Sequence, residues 1–313
     1  MDKVYVRDMV VDQAIDSPFL IRQLEKHDKK NGEAFLRLVL GDKTGEIRAV
    51  MWDGVRQALE EISQGDYAQV TGTVGLYQDQ PQLRVDRIRR IEPSQVDEAE
   101  FVASTAQDIE RMWKELLDAV ALIRQPKLRE LLDSILGEKD FAESFRRCPA
   151  AKSYHHVFRG GLLEHTLSIV KLCAAVAAHY ALLDRDMLIA GAVLHDIGKV
   201  EELRYDRDFD YTDEGQLVGH IVMAASSLDR RMRELQFDNS LRAKVLHLIV
   251  SHHGEEQFGS PRKPMTPEAL ALHYLDMLDS RMEMARAALE QEADSEGTFT
   301  SWVRSLDRRL YKG

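Results

Sequence analysis

Two periodicities divide the chain. Up to residue 93, apolar and polar positions alternate in short runs broken by Gly, Pro and Asp, the pattern of half-buried strands. Residues 35–40 alternate, 41–45 turn, and 46–52 alternate again. A helical piece at 55–62 stops before Gly65, and strands at 67–74 and 82–88 flank a turn at 78–81. With 16–24 as the first strand, the order is strand, strand, strand, helix, strand, strand, which is that of a small five-stranded OB-fold barrel. After Glu92-Pro93-Ser94 the period becomes helical, with Ile109, Met112, Leu116, Leu117, Val120 and Ile123 on one stripe. Pro126 ends that stripe and 128–136 forms a second helix. From about 150 to 289 nearly every segment reads helical, and the polar loop 205–216 is a candidate flap. The expected architecture is an all-β barrel over 1–93, a helical connector over 94–149, and an all-α bundle with a C-terminal extension over 150–313.

A chain of 313 residues with 44% hydrophobic and 30% charged residues has room for two modest domains. Charges at Asp2, Lys3, Arg7 and Asp8 interrupt the apolar core that a signal peptide needs. No run of about 18 apolar residues is present, so neither a spanning helix nor a membrane partner is expected. Cys148 and Cys173 are the only cysteines, too few for a disulfide framework or a thiolate zinc site. A reducing, cytoplasmic compartment is the corresponding expectation. The net charge of −11 disfavours a polyanion partner. However, residues 1–93 hold 14 Lys and Arg against 16 acids, so local clusters or bound cations decide that question.

Ten of the eleven histidines lie between 155 and 273. The apolar run 188–194 ends in His195-Asp196, then Ile197-Gly198-Lys199. Two ionisable groups at the end of a buried helix cost free energy unless a cation or hydrogen bonds compensate them. His165, His195, Asp196 and Asp276 come from separate helical segments, which is how a bundle builds an interior metal site. His220, His252 and His253 make a second ion plausible, with Asp196 as the bridge. Two ions about 3.5–4 Å apart can polarise a phosphate and share a hydroxide nucleophile. A His and carboxylate set without sulfur suits Mn, Fe, Co or Zn. Asp279, three residues after Asp276, reads as a surface or outer-sphere carboxylate, and His179, His247 and His273 read as structural.

The ordered set of His165, His195-Asp196 with Gly198-Lys199, and Asp276 resembles the signature of HD-domain phosphohydrolases over about 150–290. Read with 155–166, the barrel-like start and the ending 297–309, the whole chain resembles the YhaM-type 3′–5′ exoribonucleases. That resemblance implies metal-dependent, usually manganese-activated, hydrolysis of single-stranded RNA or DNA from the 3′ end. Asp196 then serves as ligand and catalytic carboxylate. Lys199, His156 (with His155) and Arg159 are candidates to meet a phosphate or protonate the leaving group. On the barrel, Arg37, Arg48, Trp52, Tyr77 and Arg84 are the candidates for gripping a strand, by stacking bases beside basic side chains. Arg87, Arg89 and Arg90 fit either phosphate contacts or a solvated strand end. Met277, Met282 and Met284 fit either a homo-oligomer contact or plain core. Two competing readings stand beside the exonuclease: a small-nucleotide phosphohydrolase with a regulatory barrel, and a non-catalytic nucleic-acid adaptor.

Overall fold

The computed structural model describes residues 3–29, 32–151, 158–205, 210–293 and 295–313. Two compact units result, one running to Ser104 and the other from Thr105 to the end.

The first unit is a closed barrel of β1 (Ala14–Asp28), β2 (Ala34–Asp42), β3 (Gly45–Met51), β4 (Tyr67–Tyr77) and β5 (Gln80–Ile91), with α1 (Val55–Glu61) between β3 and β4. Strand order around the barrel is β1-β2-β3-β5-β4, and the parallel β3–β5 pairing closes it. β1 is shared along its length: Ala14 to Leu20 pairs with β4, and Leu20 to Asp28 pairs with β2. Pro18 falls in the half that pairs on one side only, where its missing N–H breaks no second ladder. The alternation expected from sequence sends Leu36, Leu38, Leu40, Ile47, Ala49 and Met51 inward to pack on Phe19, Ile21, Val70 and Val85. Phe35, Arg37, Val39, Arg48 and Val50 therefore face outward. The β4–β5 turn is tighter than the expected 78–81. Only Gln78 and Asp79 connect the strands, both at positive φ (52° and 59°), as a two-residue hairpin with native twist requires.

The barrel unit extends past the boundary expected at Pro93. Phe101 is buried against Tyr67 and Leu20, and Glu100 receives Lys43 at 2.8 Å. The segment beyond does not behave as a separate connector. α2 (Ile109–Ala121), α3 (Pro126–Leu136) and α4 (Lys139–Arg147) place Met112, Leu116, Leu128, Leu132 and Phe145 in the main helical core. Pro126 opens α3 as its first residue, where no backbone N–H is needed.

That core also takes in α5 (Gly161–His179), α6 (Arg185–Leu194), α7 (Lys199–Glu202), α9 (His220–Glu234), α10 (Asn239–Ser251) and α11 (Pro267–Gln291), whereas α8 (Asp213–Val218), with Leu217 and Val218 exposed, adds no residue to it. α5 is long and apolar enough to cross a membrane by length and composition alone, a feature the residue runs did not suggest. It packs against α2, α4, α6 and α11, and a helix surrounded on several sides is apolar on several sides. Of the candidate flap, Asp210 and Tyr211 pair with Leu203 and Arg204, and 213–218 forms α8.

Candidate metal centre and nucleic-acid interface

Five helix ends and faces converge on one buried point. His165 lies in the first turns of α5, His195 and Asp196 follow the last residue of α6, and His220 opens α9. His252 and His253 follow α10, and Asp276 lies mid-way along α11. Gly198 allows one of these approaches: a Cβ there would stand 2.2 Å from the His220 carbonyl oxygen, so only glycine lets the His-Asp loop touch the start of α9.

The donors fall into two groups, His165 with His195 and Asp276, and His220 with His252 and His253, each with ligand atoms within 4.8 Å of one another. Asp196 stands between them. Its Oδ2 lies 3.2 Å from His195 Nε2 and 3.7 Å from His165 Nε2, while its Oδ1 lies 3.5 Å from His220 Nε2 and 3.6 Å from His252 Nε2. One oxygen thus faces each group.

The imidazoles are turned so that their second nitrogens hold them. His195 Nδ1 donates to the Ala192 carbonyl (2.8 Å) and His252 Nδ1 to the Ile249 carbonyl (2.6 Å). His165 Nδ1 donates to Asp279 (2.8 Å), which also accepts from the Ser168 hydroxyl. His220 donates to Glu202 through Nδ1 (3.0 Å) and through its backbone N–H (2.9 Å). His253 Nδ1 donates to the Phe258 carbonyl (2.9 Å). With Nδ1 protonated, each neutral ring presents an Nε2 lone pair. The Nε2 atoms of His195, His220 and His252, and Asp196 Oδ1, are buried without a hydrogen-bond partner among the described residues. Buried acceptors that face acceptors are unfavourable unless a cation sits among them. The donor set therefore fits divalent metal, held by imidazole and carboxylate.

Electrostatics agree. Burial works against the Asp196 charge, but Lys199 and His195 outweigh it and hold the carboxyl well below the usual range. Lys199 Nζ donates to Asp196 Oδ2 at 2.7 Å. Burial lowers His252, and burial with repulsion from His252 and His220 pushes His253 down to about 3, so both stay neutral, the ligand form. Burial also opposes a proton on His165, but Asp276 and Asp279 outweigh it and raise that ring to about 9. A metal must displace this proton.

The structure brings all seven expected ligands together. Lys199 joins them through Asp196, and Arg159 lies just before the glycine that caps α5, with its carbonyl accepting from Thr105 N–H (2.9 Å). His155 and His156 lie outside the described residues. His247 and His273 stand outside the two groups. His247 Nε2 accepts from Met265 N–H (2.8 Å), and His273 Nδ1 donates to the His252 carbonyl (2.9 Å). His179 stacks edge-on with Tyr180. Sequence reading missed Glu202, which no spacing rule ties to His220. It left Asp279 between surface and outer-sphere roles, and the structure places it behind His165.

On the barrel, Arg37, Arg48, Trp52 and Tyr77 line a groove of about 470 Å³ with Gln23, Glu25 and Phe35. Trp52 stacks on Phe35 (4.7 Å between ring centres), and Phe35 stacks on His27 (5.4 Å). This three-ring ladder was not foreseen. Its signal was available, because His27 is the one histidine outside the helical half. Arg84 is exposed on β5 but is not among the residues that line this groove.

The HD-domain family matches residues 162–281, which contain all seven ligand candidates. The family described as an OB-fold nucleic acid binding domain matches 21–91. A family described as a putative helicase matches 97–200, although that stretch has no Gly-rich phosphate loop ending in Gly-Lys-Ser or Gly-Lys-Thr. The chain is 35% identical over 302 residues to the 3′–5′ exoribonuclease YhaM of Bacillus subtilis (strain 168), covering 96% of this chain and 95% of that protein. The chain belongs to the YhaM 3′–5′ exoribonuclease family. The YhaM of Oceanobacillus iheyensis is 32% identical over 96% of this chain and 94% of its own length. Because the similarity to YhaM proteins runs nearly end to end, barrel and bundle are shared as one combination. The second OB-fold domain of replication protein A from Methanococcus maripaludis aligns with 29% of the chain and 96% of its own at 24% identity and a TM-score of 0.25. The barrel assignment rests on strand order rather than on that alignment.

Proposed function

We propose that this chain is a metal-dependent 3′–5′ exonuclease of single-stranded RNA, using two divalent ions with manganese as the expected metal. The observation that carries the hydrolytic reading is the division of Asp196, with one buried oxygen toward each group of imidazoles. When bound, such a pair of ions supplies Lewis acidity toward a phosphodiester and a strong nucleophile at neutral pH. The residues do the rest. His165, His195 and Asp276 would hold one ion and His220, His252 and His253 the other, with Asp196 offering one oxygen to each group. Lys199 keeps Asp196 ionised and fixes its orientation through the 2.7 Å contact, leaving positive charge beside the substrate phosphate. Arg159 and His156 are assigned to the phosphate and the leaving oxygen. The barrel groove supports the single-strand reading, since stacked rings beside Arg37 and Arg48 suit bases and backbone phosphates. The 3′–5′ direction is that named for the relatives.

Labelled RNA blocked at either end tests the proposal in the presence of Mn²⁺. The 5′-blocked strand is expected to shorten stepwise and the 3′-blocked strand to persist. If neither shortens while a free nucleotide is hydrolysed, the chain is a small-nucleotide phosphohydrolase. If both strands bind and stay whole, it is an adaptor.

A further inference from the structure

After α11 the chain folds back on itself as a short hairpin. Phe299 pairs with Tyr311 and Val303 with Arg308, both antiparallel. Thr300 N–H donates to the Leu310 carbonyl (2.9 Å) and Lys312 N–H to the Thr298 carbonyl (2.8 Å), so Phe299 and Tyr311 form a non-hydrogen-bonded pair with neighbouring side chains. Their rings lie 5.4 Å apart.

The anchoring of this hairpin is polar. The Glu292 carboxylate accepts from Ser301 N–H (2.9 Å) and from the Ser301 hydroxyl. Lys312 Nζ donates to the carbonyls of Ser295 (2.6 Å) and Glu292 (3.1 Å). The buried residue of the hairpin is Thr300, whose hydroxyl oxygen accepts from Leu310 N–H (3.0 Å). The aromatics face water instead: Phe299 is 53% exposed, Trp302 56% and Tyr311 63%. A short hairpin ordinarily gains stability by burying such rings, so polar staples with rings outside invert the usual arrangement. Arg304, Arg308 and Arg309 are exposed on the same hairpin, and Asp307 is the only acid from 297 to 313. In a chain of net charge −11, this is a local cationic surface carrying exposed rings.

We infer that the C-terminal hairpin is a second contact for single-stranded nucleic acid, outside the barrel groove and the metal centre. Rings stack on bases of any identity, and guanidinium groups meet backbone phosphates. Charge complementarity and the open rings together select this occupant. The acidic remainder of a second copy would match the charge as well, but only a single strand supplies phosphates for the guanidinium groups and bases for the open rings together. The inference rests on the single-strand reading above but not on hydrolysis.

The experiment uses the full chain and a fluorescein-labelled phosphorothioate oligouridylate of about 20 nucleotides, long enough for more than one contact. Anisotropy is read across a salt series. Trp302→Ala is expected to weaken binding about tenfold, with Trp302→Phe restoring most of it. Replacing Arg304, Arg308 and Arg309 together by serine is expected to lower the slope of log affinity against log salt by about 2, as each lost phosphate contact removes about 0.7. Unchanged affinity in Trp302→Ala together with an unchanged slope in the triple variant overturns the inference. So does a variant that elutes as a smaller species than the parent on size exclusion, which assigns the hairpin to a second copy. Binding that depends on the hairpin in a chain that cuts no RNA would retire the nuclease reading and leave this one standing.

Discussion

Replacing Asp196 by alanine removes the carboxylate that both imidazole groups face, and the structure separates two consequences. The first needs no metal. Lys199 is 9% exposed, and its ammonium lies 2.7 Å from Asp196 Oδ2. Removing one partner of a buried ion pair leaves the other charge uncompensated and costs about 3–5 kcal/mol. Asp276 and Glu202 still attract Lys199, so the lower end, about 3 kcal/mol, is expected for the metal-free chain. Lys199→Met strands the carboxylate in the same way. The double variant should then be at least about 2 kcal/mol more stable than the sum of the single changes, since paired residues are not additive. The second consequence is linkage. The parent should gain about 2.7 kcal/mol when Mn²⁺ is present at a hundred times its Kd, and Asp196→Ala should gain nothing. Urea unfolding followed by far-ultraviolet circular dichroism reports the helical unit, with and without Mn²⁺. Additivity of the two changes within about 0.5 kcal/mol would refute the ion-pair reasoning. A full Mn²⁺ gain in Asp196→Ala would refute the bridge.

Three further outcomes follow from the same geometry. In the metal-free chain His165, raised to about 9, contributes stability that is complete below its unfolded value near 6.5 and is lost as pH rises through 9. Stability should therefore fall by about 3 kcal/mol between those values, and Mn²⁺ should abolish the fall by displacing the proton. Below 6.5 the depressed His253 acts in the opposite sense, because the unfolded ring takes up a proton that the folded one refuses. The metal-free stability maximum should accordingly lie near pH 6.5 in a denaturation series. Asp279→Asn and Glu202→Gln should each weaken metal binding about 10- to 100-fold, at the His165 group and the His220 group respectively, read by calorimetric Mn²⁺ titration. A change confined to stability with metal affinity intact would reduce both to structural braces. Gly198→Ala puts a methyl 2.2 Å from the His220 carbonyl, so it should cost about 1–3 kcal/mol and lower bound metal, measured by elemental analysis of the purified variant.

Much of this protein was legible because its signals are local. Period-two alternation in 35–40 and 46–52 needs only neighbouring residues, and the pleat then sends Leu36 inward and Arg37 outward wherever the strand is placed. The histidines and acids stood out because ionisable groups at the ends of apolar helices demand compensation. Domain limits were less legible. Phe101 and the α2 stripe look alike as apolar residues, yet one covers Tyr67 on the barrel and the other enters the helical core.

The sequence by itself determined the element types, their order along the chain and the candidate metal donors, since each follows from residue chemistry and short spacing. Only the tertiary structure decided how those donors are shared. Asp279 holds His165 across 114 positions, Glu202 turns His220 through its backbone and side chain together, and Asp196 gives one oxygen to each group. The His27–Phe35–Trp52 ladder and the polar-stapled hairpin belong to the same class. Such partnerships are settled by helix and strand packing across long loops. Many pairings of the same residues satisfy every local rule, and only the packed core selects among them.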